Sequence, residues 1–483
     1  MKILFVCTSM FLSEPIGLMQ LSAICKTAHH DTRLAVLNRG NFLEEILRYE
    51  PDLVAYSAMT VNINLFKEAD AKLRRYLTAN NKSVVRVMGG AHPTYCPDIL
   101  DECDLDAVCI GEGDNAILEI VSRIENKQNL LNIPNVMAKN TKHCKKELIQ
   151  ELDFLPFIDR DIIYRTAPYY KSFGLRSFLA SRGCPYKCSY CFNHVYNKIF
   201  ESCGPIVRRR SVDHLIAEIK YVIKEFPPVR YIRFADDTFV HKVDKWLEEF
   251  VAKYKKEVGL PFYCLMRSNT MTEDVARMLS SAGCKAVSMS VETGNEKVRN
   301  DVLKRALSDE VVRKSFAIAR KYKIKTYGNT MLGLPGQSLE HEFQSFLFVK
   351  SLGLDVQTFT IYTPAPQTDL AEYAVKNEML DSMKLAEAGY TKKSILNCFT
   401  NEEKGIQARF INLAPVFCNL PNVFLPVFKV LLKFKLDKIY SILGSLFISY
   451  RLASRIFPYV IPRNARGFYA ILKDYFWLRR LES

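Results

Sequence analysis

Three cysteines lie close together in the stretch Ser181-Arg-Gly-Cys-Pro-Tyr-Lys-Cys-Ser-Tyr-Cys-Phe-Asn193, at Cys184, Cys188 and Cys191. An iron-sulfur cluster is normally held by four thiolates, so three on one short loop can bind three corners of a four-iron cluster and leave the fourth iron open. The next cysteine, Cys203, follows too late in the chain to belong to the same loop. The pattern predicts an iron that a small molecule can bind. The alternatives are a zinc site or three buried thiols, although zinc usually takes four ligands in paired Cys-x-x-Cys units.

The cysteine spacing, together with the aromatic Phe192 directly after the last cysteine, resembles the cluster loop of radical S-adenosylmethionine enzymes. The resemblance implies a [4Fe-4S] cluster on Cys184, Cys188 and Cys191. It also implies that the amino and carboxylate groups of S-adenosylmethionine occupy the open iron. Electron transfer from the cluster would then cleave the sulfonium to a 5'-deoxyadenosyl radical.

The composition is that of a folded chain with more than one domain. Its 483 residues are 48% hydrophobic and 25% charged, which allows two or three domains with a core each and excludes a disordered chain. The stretch from Met1 to Cys7 reads as a buried strand and lacks the charged, apolar and cleavable regions of a signal peptide. We therefore expect a cytoplasmic protein whose fourteen cysteines stay reduced.

The formal net charge of +15 fits three classes of partner: nucleic acid, an anionic membrane surface, or acidic substrates and cofactors. The sequence has no arginine-rich helix, zinc-finger spacing or interleaved basic and aromatic pattern of an RNA-binding module. No nucleic-acid partner is therefore expected. Part of the excess positive charge lies near the carboxyl terminus, which bears on the last segment of the chain.

Residues 1–150 alternate strands and helices, with strands predicted at 2–7, 33–37, 53–57, 84–88 and 107–110, as in a parallel sheet with crossover helices. Ligands of such sheets bind beyond the carboxyl ends of the strands, where small residues let a flat ligand approach the backbone. The strand ends here, with Glu14-Pro-Ile-Gly-Leu-Met19 before the first helix, resemble the cobalamin-binding domain of one class of radical S-adenosylmethionine enzymes. The resemblance implies a Rossmann-like (flavodoxin-like) fold with these candidate cobalamin contacts: Ser57, Gly89, Gly90, His92, Gly111 and Glu112.

The Asp-x-His-x-x-Gly motif, which supplies a histidine ligand to cobalt in other cobalamin proteins, is not evident in the sequence. His92 follows the fourth predicted strand, and it is not assigned as a cobalt ligand. In the resembled class the corrin is often bound without a protein histidine.

A proline-marked linker at 151–171 precedes a second alternating segment at 172–370. Its strands are predicted at 176–180, 231–234, 262–265, 286–290, 326–330 and 356–360. Six such units fit a partial (β/α)6 barrel of TIM type, whose active site lies at the carboxyl ends of the strands.

Two of these strands end in residues that fit more than one functional or structural role. Asp236 and Asp237 fit a metal site, an acid-base pair, contacts to the ammonium group of S-adenosylmethionine, or the start of a turn. Arg267 fits a partner for a carboxylate or a surface position. The resemblance places the methionine amino group of the cofactor against the two aspartates.

The next strand ends also resemble the family. Glu292 stands where a glutamate contacts the ribose or amino group of the cofactor, and Gly333 and Gly336 stand in the segment that contacts its adenine. Gln337 and Gln367 depart from the family pattern, which frequently has an acidic residue and a glycine there. These departures bear on the details of the loops.

Residues 371–483 differ in character, because apolar runs at 420–433 and 439–450 are punctuated by basic residues. Neither run has the eighteen or more uninterrupted apolar residues of a bilayer span. A helical, basic and apolar domain of this kind suits a membrane surface or a lid over an apolar substrate. An ordinary helical subdomain packed on the barrel is the alternative. The basic residues are Lys429, Lys433, Lys435, Lys438, Arg451, Arg455, Arg463 and Arg466.

The resemblance, over roughly residues 1 to 370, implies a cobalamin-dependent radical S-adenosylmethionine enzyme. Methylation of an unactivated carbon of a large or apolar, lipid-like small molecule is the first hypothesis. A radical cyclase or another C-C bond-forming enzyme of the family, porphyrin-cyclase-like or lipid-modifying, is the second. A non-catalytic iron-sulfur or corrinoid sensor is the third. The enzyme hypotheses imply a reducing protein such as ferredoxin or flavodoxin as a partner and a cytoplasmic location, with contact to the inner face of the membrane through the last segment.

Overall fold

Alternating strands and helices build two large sheets in the computed structural model, which describes residues 1–8, 14–38, 40, 42–141, 143–383, 393–458 and 469. Arg463 and Arg466, predicted above to contribute to a basic tail, lie outside the described residues. The arrangement of the two sheets confirms the predicted α/β fold class.

The first sheet has the strand order β2-β1-β3-β4-β5-β6. Strands β1 to β5 are parallel, and β6 is antiparallel to β5. In β1 the side chains alternate between two apolar layers, with Ile3 and Phe5 in one and Leu4 and Val6 in the other, because helices cover both faces of the sheet. The strands are β1 (Lys2–Cys7), β2 (Asp31–Val36), β3 (Leu53–Ser57), β4 (Val85–Gly89), β5 (Ala107–Cys109) and β6 (Val136–Ala138).

The order of β1 to β5 is the flavodoxin-like order, in which ligands bind at the carboxyl edge where the strand order reverses, here beside β1 and β3. Strand β6 was missed in the sequence because three residues show no usable alternation. The helices around this sheet are α1 (Ile16–Thr27), α2 (Phe42–Tyr49), α3 (Ile63–Ala79), α4 (Ala91–Tyr95), α5 (Ile99–Glu102), α6 (Asp114–Glu125) and α7 (Asp161–Thr166).

The second sheet is fully parallel, and its strands follow in chain order as β7-β10-β11-β12-β13-β14, as in the predicted partial barrel. A two-stranded hairpin of β8 and β9 is inserted after β7. The strands are β7 (Leu175–Phe178), β8 (Ser181–Arg182), β9 (Arg208–Arg209), β10 (Tyr231–Phe234), β11 (Phe262–Leu265), β12 (Cys284–Ser288), β13 (Lys325–Leu332) and β14 (Val356–Ile361).

Most barrel helices begin directly after a residue whose side chain accepts a hydrogen bond from the first turn, which fixes where each helix starts. These N-cap residues are Ser211, Asp244, Thr272, Ser308, Ser338 and Thr368. The helices are α8 (Phe192–Ile199), α9 (Val212–Glu225), α10 (Lys245–Glu257), α11 (Glu273–Ala282), α12 (Asp309–Lys321), α13 (Leu339–Leu352) and α14 (Asp369–Lys376).

Three further helices, α15 (Asn401–Phe417), α16 (Leu425–Leu431) and α17 (Asp437–Arg451), pack on the barrel beside β14. Helix α17 lies so close to α15 that a Cβ atom at Gly444 would stand 2.4 Å from the carbonyl oxygen of Asn412. None of the helices among the described residues is long and apolar enough to cross a membrane.

The chain after α17 closes the base of the barrel. Ile456 is fully buried against residues of β10, β11, β12 and β14, and the Phe457 ring lies 4.7 Å from the ring of Tyr263. The guanidinium of Arg451 donates to the carbonyl of Asp355, just before β14. This closing segment was not predicted, because nothing in an irregular apolar run tells which surface it will cover.

Candidate active site

The cluster loop begins at the β8–β9 hairpin, and its conformation depends on Gly183. This glycine has a φ of +89°, and a Cβ atom there would stand 2.2 Å from the carbonyl oxygen of Ile206. The loop that follows leaves the thiols of Cys184, Cys188 and Cys191 partly exposed. They are therefore available to a group larger than a single buried ion.

The fourth nearby thiol is used elsewhere, since Cys203 Sγ donates to the carbonyl of Lys146 at 3.2 Å. Among the described residues no three His, Cys, Asp or Glu side chains stand close enough to hold one metal ion. A four-iron cluster would bind each thiolate at a different iron, so its ligands can stand further apart than those of one ion. The assignment of such a cluster to Cys184, Cys188 and Cys191 stays a prediction from their spacing.

Aromatic residues interleaved with the cysteines anchor the loop to three different elements. The Arg267 guanidinium, which follows β11, lies 3.9 Å from the ring centroid of Tyr186. The Phe192 ring stacks on Tyr95 of the first domain at 4.3 Å, and the Tyr95 hydroxyl donates to the Phe192 carbonyl at 3.2 Å. Arg267 and Phe192, both singled out in the sequence, thus contact or form part of the cluster loop.

A buried polar group joins the same loop to the end of β12. The Tyr190 hydroxyl donates to Glu292 Oε1 at 3.1 Å, and Arg305 Nη1 donates to that oxygen at 2.8 Å and to the Tyr190 hydroxyl at 2.7 Å. Burial raises the pKa of Tyr190 well above its ordinary value, so the phenol stays protonated. Glu292 has a φ of +67° and a bridge to Thr330 of β13. No hydrogen bond to its second oxygen, Oε2, is found within the described part of the chain, and its contact with S-adenosylmethionine stays a prediction.

The two aspartates after β10 are placed differently. Asp236 is buried and accepts from the amide of Ala180 and the hydroxyl of Ser181, so it holds the chain that leads into the cluster loop. Burial raises the pKa of Asp236 to about 6. Asp237 is exposed. Burial is the main cause that raises the pKa values of the Cys184 and Cys191 thiols, and the negative charge of Asp237 raises them further. Of the two, only Asp237 has a carboxylate open to a ligand.

The loop after β13 turns at two glycines with positive φ, +70° at Gly333 and +76° at Gly336. The Gly333 amide donates to Glu342 Oε1, which also accepts from Gln407 Nε2 at 2.7 Å. Glu342 is fully buried, its Oε2 has no hydrogen-bond partner among the described residues, and burial raises its pKa to about 7. This carboxyl group therefore fixes the loop predicted to hold adenine, and it titrates near neutral pH.

We expect Glu342→Gln to make the stability of the protein less dependent on pH. Between pH 4.5, the ordinary pKa, and about 7 the folded protein keeps a proton that the unfolded chain has released, so the free energy of unfolding decreases as pH rises. The contribution of this one group is about 3 kcal/mol across that range. Urea unfolding at pH 5, 6 and 7.5 measures the difference between wild type and Glu342→Gln. Parallel pH profiles of the two proteins would contradict the assignment.

A cavity of about 540 Å³ lies between the carboxyl ends of the first sheet and the start of the cluster loop. Ser57, Gly89, Gly90, Gly111 and Glu112 all line it, as the sequence predicted for cofactor contacts. The opposite wall contains Leu179, Ser181 and Arg182, so the cavity reaches to within two residues of Cys184. The lining residues come from both domains.

Two of the glycines that line this cavity are required by packing within the protein itself. A Cβ atom at Gly90 would stand 2.6 Å from the carbonyl oxygen of Ala58, and one at Gly111 would stand 2.3 Å from the Phe200 ring. Gly113 also lines the cavity, and a Cβ atom there would project beside the Leu21 side chain. Small residues at successive strand ends leave room for a broad flat group, so the cavity fits the corrin predicted from the sequence.

His92 does not belong to this wall. Its ring is buried on α4, with Nδ1 3.3 Å from the Thr60 hydroxyl, and burial lowers its pKa to about 4. The imidazole is therefore neutral at physiological pH and packed inside the first domain. Its contact with cobalamin stays a prediction without a geometric basis in this structure.

Ion pairs tie the cluster hairpin to the first domain. Arg182 donates to both carboxylate oxygens of Asp114, at 2.8 and 2.9 Å, and its Nη1 is 3.3 Å from Glu112. Arg208, opposite Arg182 in the hairpin, donates to Glu112 Oε2 at 2.9 Å. The carboxylate of Glu112 is thus paired with two arginines of the hairpin.

Sequence reasoning missed several residues that hold the site together. Tyr190 stands between the second and third cysteines, and an aromatic at that place was a signal in the motif itself. Arg182, two residues before Cys184, is evident in the sequence as a basic residue, but the sequence does not show which acidic residues it pairs with. Tyr95 and Arg305 had no signal in the sequence, because their contacts lie far away along the chain.

Comparison with known proteins finds a matching family model in each of the two sheet-containing parts of the chain. The model of the radical SAM superfamily matches residues 178–347, and that of the B12 binding domain matches residues 4–121. An uncharacterized methyltransferase of Pyrococcus horikoshii is 26% identical over 381 residues, which are 76% of this chain and 80% of the relative. The anaerobic magnesium-protoporphyrin IX monomethyl ester cyclase of Rubrivivax gelatinosus is 24% identical over 368 residues, 72% of this chain and 63% of the relative.

Among solved structures, the cobalamin-dependent S-adenosylmethionine radical enzyme OxsB with aqua-cobalamin and S-adenosylmethionine bound is similar with a TM-score of 0.68. The match covers 100% of this chain and 75% of that one at 13% sequence identity. At this identity the likeness concerns the fold. The same order of a flavodoxin-like sheet, a partial barrel and further helices is therefore found in a protein that binds both cofactors.

Proposed function

Because this chain belongs to the radical S-adenosylmethionine enzymes with a cobalamin-binding domain, we propose that it transfers a methyl group to an unactivated carbon of an apolar small molecule. Its cofactors are a [4Fe-4S] cluster, S-adenosylmethionine and cobalamin. When bound, the cluster supplies the electron that cleaves S-adenosylmethionine, and cobalamin carries the methyl group. The observation that carries the proposal is the cavity shared by the first sheet and the segment leading into the cysteine loop.

The chain's own residues perform several tasks in this proposal, and the first concern the cluster and its loop. Cys184, Cys188 and Cys191 hold three irons of the cluster. The aromatic and cation-π contacts around them keep the loop rigid, which would hold a bound cluster in one place. Glu292, held at one oxygen by Arg305, offers the other oxygen to the hydroxyl or ammonium groups of S-adenosylmethionine.

The remaining tasks concern the other end of the cofactor and the corrin. Gly333 and Gly336 shape the loop proposed to receive the adenine, while Asp237 faces the side of the cluster loop and is proposed to contact the methionine amino group. Small residues at the strand ends of the first domain receive the corrin, and residues 172–370 form the barrel that positions it against the cluster. We propose domain boundaries at 1–150, 151–171, 172–370 and 371–483.

The test is the set of products formed from S-adenosylmethionine. The protein is reconstituted without oxygen with iron, sulfide and hydroxocobalamin, and it is then incubated with a strong reductant and analysed by mass spectrometry. Methyl transfer predicts both S-adenosylhomocysteine and 5'-deoxyadenosine, with the corrinoid retained. Neither product from a protein with an intact cluster would contradict the enzyme assignment and favour a sensor.

A radical cyclase is the second candidate, because one of the similar proteins is named as a magnesium-protoporphyrin ester cyclase. It requires the same cluster and radical but no net transfer of a methyl group. Formation of 5'-deoxyadenosine without S-adenosylhomocysteine in the same experiment favours the cyclase. The two functions are therefore separated by one product.

The partners proposed for this enzyme follow from the chemistry. A reducing protein such as ferredoxin or flavodoxin supplies the electron, which places the enzyme in the cytoplasm. A lipid-like substrate is supported by the apolar character of the last helices, which also supports a location at the inner face of the membrane.

A further inference from the structure

The outward face of α17 is apolar, which reverses the usual pattern of a helix packed on a globular domain. Five large apolar residues of this helix are between 52% and 69% exposed: Ile439, Ile442, Leu443, Leu446 and Tyr450. Their spacing of three, one, three and four residues puts them on one side of the helix. The opposite side contains the buried Tyr440 and Gly444, which pack against the protein.

Further apolar residues are exposed in the chain just before α17. Val423, Val427, Val430 and Phe434, in α16 and the turns beside it, are also about half exposed or more. The buried residues Phe428 and Leu432 between them anchor this segment in the barrel core. The exposed apolar side chains therefore belong to a well-packed element and not to a loosely held tail. We call these nine residues the outer face: Val423, Val427, Val430, Phe434, Ile439, Ile442, Leu443, Leu446 and Tyr450.

The charges around the outer face have almost one sign. Four exposed lysines, at 429, 433, 435 and 438, stand within or between α16 and α17, against a single acidic residue, Asp437, in the stretch 418–458. A large apolar patch rimmed by lysines matches a surface that is apolar below and anionic above. A protein partner would instead need acidic side chains placed opposite each lysine.

From this pattern we propose that α16 and α17 lie in the interface of a bilayer that contains anionic lipids, with the outer face turned into the acyl region. The lysines then contact lipid phosphates, and the buried side of the helices remains on the barrel. No helix needs to cross the bilayer for this contact, since each lies along the surface. The inference rests on the membrane location proposed above, which it assigns to α16 and α17, and it holds whichever reaction the enzyme catalyses.

Vesicle flotation of the reconstituted full-length enzyme tests the proposal. We expect binding to vesicles of phosphatidylcholine with phosphatidylglycerol, with affinity for pure phosphatidylcholine lower by roughly tenfold or more. Raising the salt concentration should weaken the binding to anionic vesicles. Failure of the full chain to bind anionic vesicles at low salt would overturn the proposal.

Substitutions locate the contact. Leu443→Glu combined with Leu446→Glu should abolish flotation, whereas Leu47→Glu, at an equally exposed leucine on α2, should leave it unchanged. Cobalamin and iron contents equal to wild type show that the double variant is folded. Unchanged flotation of the double variant would overturn the proposal.

Charge removal separates the two parts of the contact. Lys435→Gln with Lys438→Gln should reduce the preference for anionic vesicles, and Lys285→Gln with Lys314→Gln, which removes the same charge on the barrel, should not. Sedimentation velocity without lipid tests the alternative that a second copy of the chain covers the outer face. A wild-type dimer that dissociates in the Leu443→Glu and Leu446→Glu variant would overturn the membrane assignment in favour of self-association.

Discussion

Cys188→Ala is expected to eliminate the cleavage of S-adenosylmethionine down to the level without enzyme. The loop offers three thiols to the cluster and no substitute, since Cys203 is turned to the Lys146 carbonyl. With one of three ligands missing, the cluster should be lost or reduced in occupancy. Iron and sulfide analysis, together with 5'-deoxyadenosine formation, measures the effect.

The matched control for this change is Cys203→Ala, which removes a thiol twelve residues after Cys191. It should keep both the cluster and the activity. Cobalamin should remain bound in Cys188→Ala, because the cavity wall belongs to the strand ends of the first sheet and to hairpin residues before the cysteine. Loss of cobalamin in Cys188→Ala would indicate global misfolding, and loss of the cluster in Cys203→Ala would contradict the three-cysteine assignment.

Arg182→Met is expected to lower the free energy of unfolding by about 3–5 kcal/mol, the usual cost of removing one partner from a buried ion pair. Asp114 is only 5% exposed and would lose both of its hydrogen bonds to the guanidinium. Met has a similar length and no charge, so the change tests the ion pair more than the volume of the side chain. Urea unfolding of the two proteins gives the difference.

Cobalamin retention distinguishes a local role of Arg182 from a general loss of stability. Arg209→Met is the control, because Arg209 lies in the same hairpin but pairs with Asp244 of the barrel at 2.9 Å. We expect Arg182→Met to release cobalamin on gel filtration and Arg209→Met to retain it. Arg182→Lys should restore binding only partly, since lysine cannot form the bidentate pair with Asp114. Equal retention in Arg182→Met and wild type would contradict a role in joining the domains.

The strands were largely predictable from the sequence because parallel strands buried on both faces are short apolar runs with clear ends. β1, β3, β10 and β11 begin and end where the sequence predicted. The strands β6, β8 and β9 were not predicted, since two or three residues carry no periodicity. The glycines that line the cavity could be located for the same reason as the strands, because they follow strand ends, and their contact with a cofactor stays a prediction.

The contacts that make the site rigid were not predictable. Tyr95 and Phe192 are separated by almost a hundred residues, and Arg305 reaches Tyr190 across the barrel. A single sequence contains no periodic signal for such pairs. The position of the His92 ring was also not predictable, since the residue follows a predicted strand but its ring is packed on Thr60 inside the domain, and its contact with cobalamin stays a prediction.

The segment that closes the base of the barrel has a consequence for the construction of chimeras. Arg451 ends α17, and Ile456 and Phe457 come shortly after it. All three form part of the barrel floor, so the last helices are not an appendage that can be exchanged at the end of β14. A graft of these helices onto a related barrel must bring residues 451–457 together with matching partners on β11 and before β14. Family members with different tails are therefore expected to differ also in the floor of the barrel, and the two should change together as one inherited unit.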